Sequence, residues 1–145
     1  MRRYAMAAAL LGLMLAPARA ADKAPPACGN SGDPASVVQA QVDAYNAHDL
    51  TAFAACYADA VSIELLGSGE PPRKGQAALK EDYAFLGRMP EGFGVDIVQR
   101  TVNGPIVVDH ERIHGLPDGR SAPDAIAVYE VRDGKILNVW FPPRK

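Results

Sequence analysis

The chain has 145 residues, which is enough for one domain with a single hydrophobic core. Hydrophobic residues make up 48% and charged residues 22%, an ordinary balance for a globular protein, so intrinsic disorder is not expected. The formal net charge is −2, and removal of the first 20 residues, which contain three arginines and no acidic residue, leaves 12 basic against 17 acidic residues, or −5. This acidic balance argues against nucleic acid as a partner.

The N-terminus has the pattern of a secretory signal peptide over residues 1–20. Arg2 and Arg3 precede an apolar run from Ala5 to Leu15, and Pro17 then breaks the run. The small residues of Ala18-Arg19-Ala20 are typical of a cleavage site, so cleavage after Ala20 is expected. The apolar run is well short of the roughly 20 residues that span a bilayer, so no membrane anchor is expected. The protein is therefore predicted to be secreted or periplasmic.

Residues 21–34 are rich in Pro, Gly, Ser and Ala, and they are expected to form a flexible leader before a domain over residues 35–145. The leader contains Cys28, and the domain contains Cys56. In an oxidising compartment these two cysteines could form a disulfide. The alternative is two unrelated thiols, with Cys56 packed against a helix and Cys28 loose in the leader. The sequence leaves both alternatives open.

Two amphipathic helices are predicted at the start of the domain. Within residues 37–46, Val38, Val42 and Tyr45 recur at steps of four and three, which places them on one buried stripe. Asp49 then has the short oxygen-bearing side chain that caps a new helix. The apolar face of this second helix is predicted to comprise Leu50, Phe53, Ala54 and Tyr57. The helix is expected to end near Ala58-Asp59, before a strand over residues 61–65.

The remainder of the chain predicts one more helix followed by strands. A helix is expected over residues 76–86, after a loop rich in Gly and Pro. Asn103-Gly104 and Arg132-Asp133-Gly134 are hairpin signals. The predicted strands are 93–102, 106–114, 125–131 and 135–141. Helices gathered first and an antiparallel sheet gathered last predict an α+β fold, in which the helices cover one face of a curved sheet and leave a cone.

These segments resemble a known group of proteins. The runs YNAHDLTAFAACYADAVSIE, RKGQAALKEDYA, VVDHERIHG and AVYEVRDGKILNVWF are similar to the NTF2-like superfamily, specifically its SnoaL-like and ketosteroid-isomerase-like bacterial members. The resemblance covers residues 37–141. It implies an NTF2-like cone that binds a small hydrophobic molecule, and a homodimer formed through the outer faces of the sheets. Because this superfamily includes isomerases, cyclases, dehydratases and proteins without a known reaction, the resemblance does not define an activity.

The catalytic residues of the ketosteroid isomerase are not expected here. The resemblance places Gln41 at the oxyanion-binding tyrosine, Leu65 at the base aspartate and Ala127 near the protonated aspartate of that enzyme. The isomerase reaction needs a carboxylate to move the proton and buried donors to hold the enolate. This chain is therefore not expected to run that reaction by that mechanism.

Other residues fall at pocket positions by the resemblance, namely Tyr57, Tyr83, Tyr129, His110, Arg112 and His114. Period-two alternation also puts the last three on one strand face, opposite Asp109, Glu111 and Ile113. His110 is a candidate acid or base because imidazole titrates near neutral pH, and Arg112 could hold a carboxylate or enolate oxygen. If the other face points inward, Glu111 becomes the base. The sequence leaves the choice of face open.

No cofactor or metal is predicted. The chain has no phosphate-binding Gly-rich loop and no nucleophile elbow. Asp109, His110, Glu111 and His114 are metal-ligand types, but neighbours on a strand point to opposite faces and cannot close around one ion. The leading hypothesis is an exported protein that moves a proton or water on a small hydrophobic molecule. The alternatives are a binding or scaffold protein that uses the same cone without catalysis, and a structural dimer.

Overall fold

The computed structural model describes residues 28–144, so the predicted signal peptide and most of the leader lie outside the described residues. The helices are α1 (Pro34–Asn46), α2 (Leu50–Ala55) and α3 (Gly75–Tyr83), and short 3₁₀ helices cover Ala84–Arg88 and Pro117–Gly119. The strands are β1 (Tyr57–Leu65), β2 (Arg73–Lys74), β3 (Gly94–Asn103), β4 (Ile106–His114), β5 (Ala125–Arg132) and β6 (Lys135–Phe141). No helix in residues 28–144 is long and apolar enough to cross a bilayer.

The six strands form one sheet in the order β2-β1-β6-β5-β4-β3, with the helices against one face. The predicted α+β fold is confirmed. The two predicted hairpins are also present, because β3 pairs with β4 and β5 pairs with β6, each antiparallel. The prediction of a purely antiparallel sheet is wrong, since β1 runs parallel to β6. The long connection from β1 through α3 and the hairpins brings the last strand beside the first.

An aspartate side chain caps the N-terminus of each of the first two helices. Asp33 accepts a hydrogen bond from the amide of Ala35 at the start of α1, and Asp49 accepts one from the amide of Ala52 at the start of α2. The predicted cap at Asp49 is therefore confirmed. Between the helices His48 has a φ of 55°, in the left-handed region, so α1 cannot continue through it.

The boundary between α2 and β1 differs from the sequence prediction. The helix ends at Ala55 rather than near Ala58-Asp59, and Tyr57 belongs to β1 rather than to the apolar face of the helix. Strand pairing explains the difference, because the amide of Ile136 donates to the carbonyl of Cys56 and Tyr57 is in register with Ile136. The tertiary contact with β6 overrides the local helical pattern.

A disulfide joins Cys28 to Cys56, which decides between the two alternatives that the sequence left open. The bond links the segment before α1 to the junction of α2 and β1. The last residues of the predicted flexible leader are held in place, because the amide of Asp33 donates to the carbonyl of Asn30 and Gly29 lies against the backbone of Ser36. Gly29 has a φ of 59°, and a Cβ there would collide with the Ser36 carbonyl.

Candidate functional site

A cavity of about 740 Å³ opens between the helices and the inner face of the sheet. This volume is in the range of small-molecule sites. The helices and the adjoining 3₁₀ helix contribute Gln41, Val42, Tyr45, Phe53, Asp82, Tyr83 and Phe85. The strands contribute Tyr57, Ile63, Leu65, Val95, Glu111, Ile113 and Tyr129. The rim includes residues 66–68, 70, 71 and 73 and the C-terminal segment Pro142-Pro143-Arg144.

The orientation of β4 decides which of its candidate residues reach the cavity. Val107, Asp109 and Glu111 are buried on the inner face, and Glu111 lines the cavity. The expected placement of His110, Arg112 and His114 in the cavity is wrong, because alternation turns these side chains to the outer face. The inner face is the one that α1 covers. The alternative register, in which Glu111 faces inward, is the one present.

The three outward residues make surface contacts instead. His110 Nε2 lies 2.8 Å from Asp124 Oδ2, and the Arg112 guanidinium also donates to this carboxylate. The hydrogen bond from Arg112 and then that from His110 hold the pKa of Asp124 below its usual value. His114 Nδ1 lies 2.9 Å from the Gly92 carbonyl oxygen. None of these three residues lines the cavity.

A line of hydrogen bonds crosses the cavity and ends at Glu111. The Tyr57 hydroxyl donates to Gln41 Oε1 over 3.1 Å, and Gln41 Nε2 donates to the Tyr129 oxygen over 3.2 Å. The Tyr129 hydroxyl in turn donates to Glu111 Oε1 over 2.9 Å. All four groups are buried. Because each donor points toward the next oxygen along the line, the network fixes the Glu111 carboxylate in position.

Burial raises the pKa of Glu111 from 4.5 to about 7. The side chain is only 9% exposed, so its charged form has lost most of its hydration. The Tyr129 hydrogen bond stabilises the carboxylate and opposes this rise, as do the charges of Arg144 and Arg100, whereas the Asp109 charge adds to the rise. A carboxyl group with a pKa near neutrality can both accept and donate a proton at physiological pH.

Asp109 shares the inner face of β4 with Glu111 but has a different environment. Its two oxygens accept from Arg100 Nε and Nη2 over 2.6 and 2.7 Å, and its side chain is fully buried. Arg100 Nη1 also donates to Gln39 on α1. Arg100 therefore links Asp109 on β4 to α1, and Asp109 does not line the cavity.

Aromatic rings form the wall opposite the sheet. Tyr83 packs on Phe53 with ring centroids 4.6 Å apart, and the Tyr45 ring contacts both. Within residues 28–144 the hydroxyls of Tyr45 and Tyr83 make no hydrogen bond to protein, and both residues line the cavity. Burial raises the pKa of Tyr45 to about 12, so its hydroxyl stays protonated and can donate to a ligand oxygen.

The predicted pocket tyrosines are all present in the lining, namely Tyr57, Tyr83 and Tyr129. The resemblance placed Gln41 at the oxyanion-binding position of the isomerase, but its part in a polar network was not predicted. A signal for it existed, because Gln41 lies three residues after Val38 and four before Tyr45, on the same helical stripe. Arg144 at the rim was also missed, and nothing in the local pattern of the C-terminal segment indicated it.

Within residues 28–144 no group of three or more His, Cys, Asp or Glu side chains is arranged to hold a metal ion. The Glu111 carboxylate accepts a hydrogen bond from Tyr129, and the Asp109 carboxylate accepts from Arg100. Among the described side chains that line the cavity, Glu111 can exchange a proton and the tyrosine hydroxyls can donate hydrogen bonds.

Substitution of Tyr129 by Phe tests the hydrogen-bonded line. We expect the pKa of Glu111 to rise further in Tyr129→Phe, because the carboxylate loses its donor. The free energy of unfolding should fall by about 1 kcal/mol. Carbon NMR titration of the glutamate carboxyl groups measures the pKa. Tyr57→Phe is the matched control, since it leaves the Tyr129 bond intact, and a Glu111 pKa that is unchanged or lower in Tyr129→Phe would contradict the assignment.

Comparison with known proteins agrees with this architecture. A family model described as a SnoaL-like domain matches residues 38–139, and the chain therefore belongs to the SnoaL-like domain family. No curated protein matches the chain.

Three solved structures show the same NTF2-like cone. An NTF2-like protein of unknown function from Cytophaga hutchinsonii has 15% identity and a TM-score of 0.59, covering 75% of this chain and 88% of its own. A proposed polyketide cyclase from Sinorhizobium meliloti has 18% identity and a TM-score of 0.61, covering 77% and 98%. A proposed ketosteroid isomerase from Kribbella flavida has 23% identity and a TM-score of 0.60, covering 74% and 76%. At these identities the likeness establishes the fold alone.

Proposed function

We propose that this SnoaL-like protein binds a small hydrophobic, carbonyl-bearing molecule in its cavity and that Glu111 moves a proton on that molecule. The observation that carries the proposal is a buried carboxyl group with a pKa of about 7 in a cavity lined by aromatic and aliphatic side chains. A perturbed carboxyl group in a cleft is a candidate for general acid-base catalysis. The apolar lining favours a hydrophobic ligand.

The proposed step is proton abstraction from a carbon next to a carbonyl group. The ionised Glu111 accepts the proton, and the electron pair of the broken C–H bond moves to the carbonyl oxygen, which becomes an enolate. Tyr45 and Tyr83 are the donors for this oxygen, since their hydroxyls are not used elsewhere in residues 28–144. Return of the proton from Glu111 to the same or another carbon completes isomerisation or exchange.

Deuterium exchange on a simple ketone tests this proposal. We expect the wild-type protein to accelerate loss of the α-proton NMR signals of 2-tetralone in D₂O, and we expect Glu111→Gln to reduce this acceleration by 100-fold or more, on the order of a general-base contribution. Glu91→Gln is the matched control, because Glu91 is exposed and outside the cavity lining. Equal exchange rates in wild type and Glu111→Gln would overturn the role of Glu111.

The second candidate function is ligand binding without catalysis. The positions that the resemblance assigned to isomerase residues carry Gln41, Leu65 and Ala127, none of which can act as a base. In the same experiment, 2-tetralone that binds to wild type and Glu111→Gln alike without faster exchange would favour a binding protein. A rise in melting temperature with added ketone measures the binding.

Export to the periplasm or the cell exterior is part of the proposal. The signal-peptide pattern in residues 1–20 supports it, and so does the Cys28–Cys56 disulfide, since such bonds persist mainly in oxidising compartments.

We also propose a homodimer through the outer face of the sheet. Val108, Val128 and Trp140 lie in register on neighbouring strands there and are partly exposed, which provides an apolar row that a second copy could cover.

A further inference from the structure

The C-terminal segment is held against the rim of the cavity. The amide of Leu66 donates to the carbonyl of Phe141, which fastens the end of β6 to the end of β1. Pro143 then lies beside Gly67, near enough that a Cβ on this glycine would be 3.5 Å from the proline ring. The two prolines restrict φ, so the segment has a defined direction. Arg144 follows them and lines the cavity.

Arg73 and Arg144 both line this rim, and within residues 28–144 only Arg73 forms ion pairs. Arg73 donates to Glu81 over 2.6 Å and to Asp82 over 3.0 Å, so its charge is matched by two carboxylates. Arg144 forms no ion pair with any acidic side chain in residues 28–144. Its positive charge also extends into the cavity, where it opposes the rise in the pKa values of Glu111 and Tyr45.

The cavity therefore differs in its polar groups between the buried end and the rim. Glu111 and its hydrogen-bonded line are buried, and aromatic rings form the wall opposite the sheet. Arg144, which forms no ion pair within residues 28–144, lies at the rim together with the Glu70 carboxylate. A ligand that satisfies all three regions has a neutral polar group at its deep end, an apolar body and a negative charge at its outer end. Opposite charges placed along one cleft favour one orientation of such a ligand.

We propose that Arg144 forms an oxyanion subsite at the cavity rim, so that the ligand of this protein is an amphipathic anion with a carboxylate, sulfonate or phosphate group at its outer end. The guanidinium binds two oxygens of this group, while the apolar body enters the cavity. This inference rests on the proposed function, because it names the chemical class of the ligand that the same cavity accepts.

Two dyes with the same aromatic framework test the subsite. 1-Anilinonaphthalene-8-sulfonate carries a sulfonate, and N-phenyl-1-naphthylamine lacks it. The measurement is the ratio of their association constants, obtained by fluorescence titration at low salt, with 2-tetralone as a competitor to place both dyes in the cavity. We expect Arg144→Gln to reduce the ratio of the association constant of the sulfonate dye to that of the neutral dye about fivefold, as for a partly exposed ion pair.

Two further variants make the test specific for this position. Glu70 also lines the rim, so Glu70→Gln removes a competing negative charge and should increase the ratio. Arg88→Gln makes the same change as Arg144→Gln at an exposed site outside the lining, and its ratio should equal that of wild type.

The outcomes separate the two proposals. If both dyes bind in the cavity and Arg144→Gln leaves the ratio at the wild-type value, the oxyanion subsite is overturned while the hydrophobic cavity stands. If Arg88→Gln lowers the ratio as much as Arg144→Gln, the effect is one of net charge, and the subsite is again overturned. If neither dye binds the wild-type protein, the proposed function fails and the subsite fails with it.

Discussion

Substitution of Cys28 by Ser should lower the free energy of unfolding by about 3 kcal/mol, because it opens the covalent loop that the Cys28–Cys56 disulfide closes. The two cysteines are separated by 28 positions in the chain. For a domain of this size the melting temperature should fall by about 10 °C. The loss arises mainly in the unfolded state, which gains chain entropy when the loop opens. It also frees the segment before α1 from the junction between α2 and β1. Thermal unfolding followed by circular dichroism measures both quantities.

Reduction of the wild-type protein provides the control. A reductant should lower the melting temperature of wild type to that of Cys28→Ser and should leave the variant unchanged, because the variant has no disulfide to reduce. Cys28 is the better residue to replace, since Cys56 is buried and a serine there would place a hydroxyl group in the core. A wild-type melting temperature that stays constant while thiol titration detects two free thiols would contradict the predicted contribution.

The strands were more predictable from the sequence than their faces. The predicted bounds of β4 and β6 equal the observed ones, because Asn103-Gly104 and Asp133-Gly134 mark tight turns between alternating segments. The inward face of β4 was not predictable. Both faces of this strand begin with apolar residues, Ile106 and Val108 on one and Val107 on the other. Only the position of α1 over Val107 and Asp109 decides which face is buried.

The residues of the candidate site were also predictable only in part. Tyr57, Tyr83 and Tyr129 were expected in the cavity through the resemblance, and Glu111 was expected only as the alternative to His110. The pKa of Glu111 depends on how much water the surrounding elements exclude, which is a property of the packed structure. The position of Arg144 depends on the contact between the C-terminal segment and the loop after β1. Such long-range contacts leave no local signal in the sequence.

As the pH rises from 4.5 to 7, the ionisation of Glu111 alone should lower the free energy of unfolding of the wild-type protein by about 3 kcal/mol. The pKa is about 4.5 in the unfolded chain and about 7 in the folded protein, so within this window the folded state holds a proton that the unfolded state has released. A rise in pH therefore favours unfolding. The contribution is absent below pH 4.5 and reaches its full size above pH 7.

Glu111→Gln removes this dependence, and it should make the protein more stable than wild type at pH 8 by up to the same amount. Denaturant unfolding at a series of pH values measures the effect, and the difference between wild type and variant isolates Glu111, since every other side chain is the same in both proteins. Glu91→Gln should retain the wild-type slope, since Glu91 lies exposed before β3.

The sign of this effect separates a functional carboxylate from a structural one. A carboxylate kept for stability has partners that lower its pKa, so its protein becomes more stable as the pH rises through that pKa. Asp124, which accepts from Arg112 and His110 on the outer face, follows that pattern. The pKa of Glu111 is raised instead, so burial of its ionised carboxylate lowers the stability of the protein at neutral pH. A glutamine at this position would not have this effect. If wild type and Glu111→Gln had equal slopes, Glu111 would ionise as an ordinary carboxyl group, and the argument for proton transfer in the cavity would lose its physical basis.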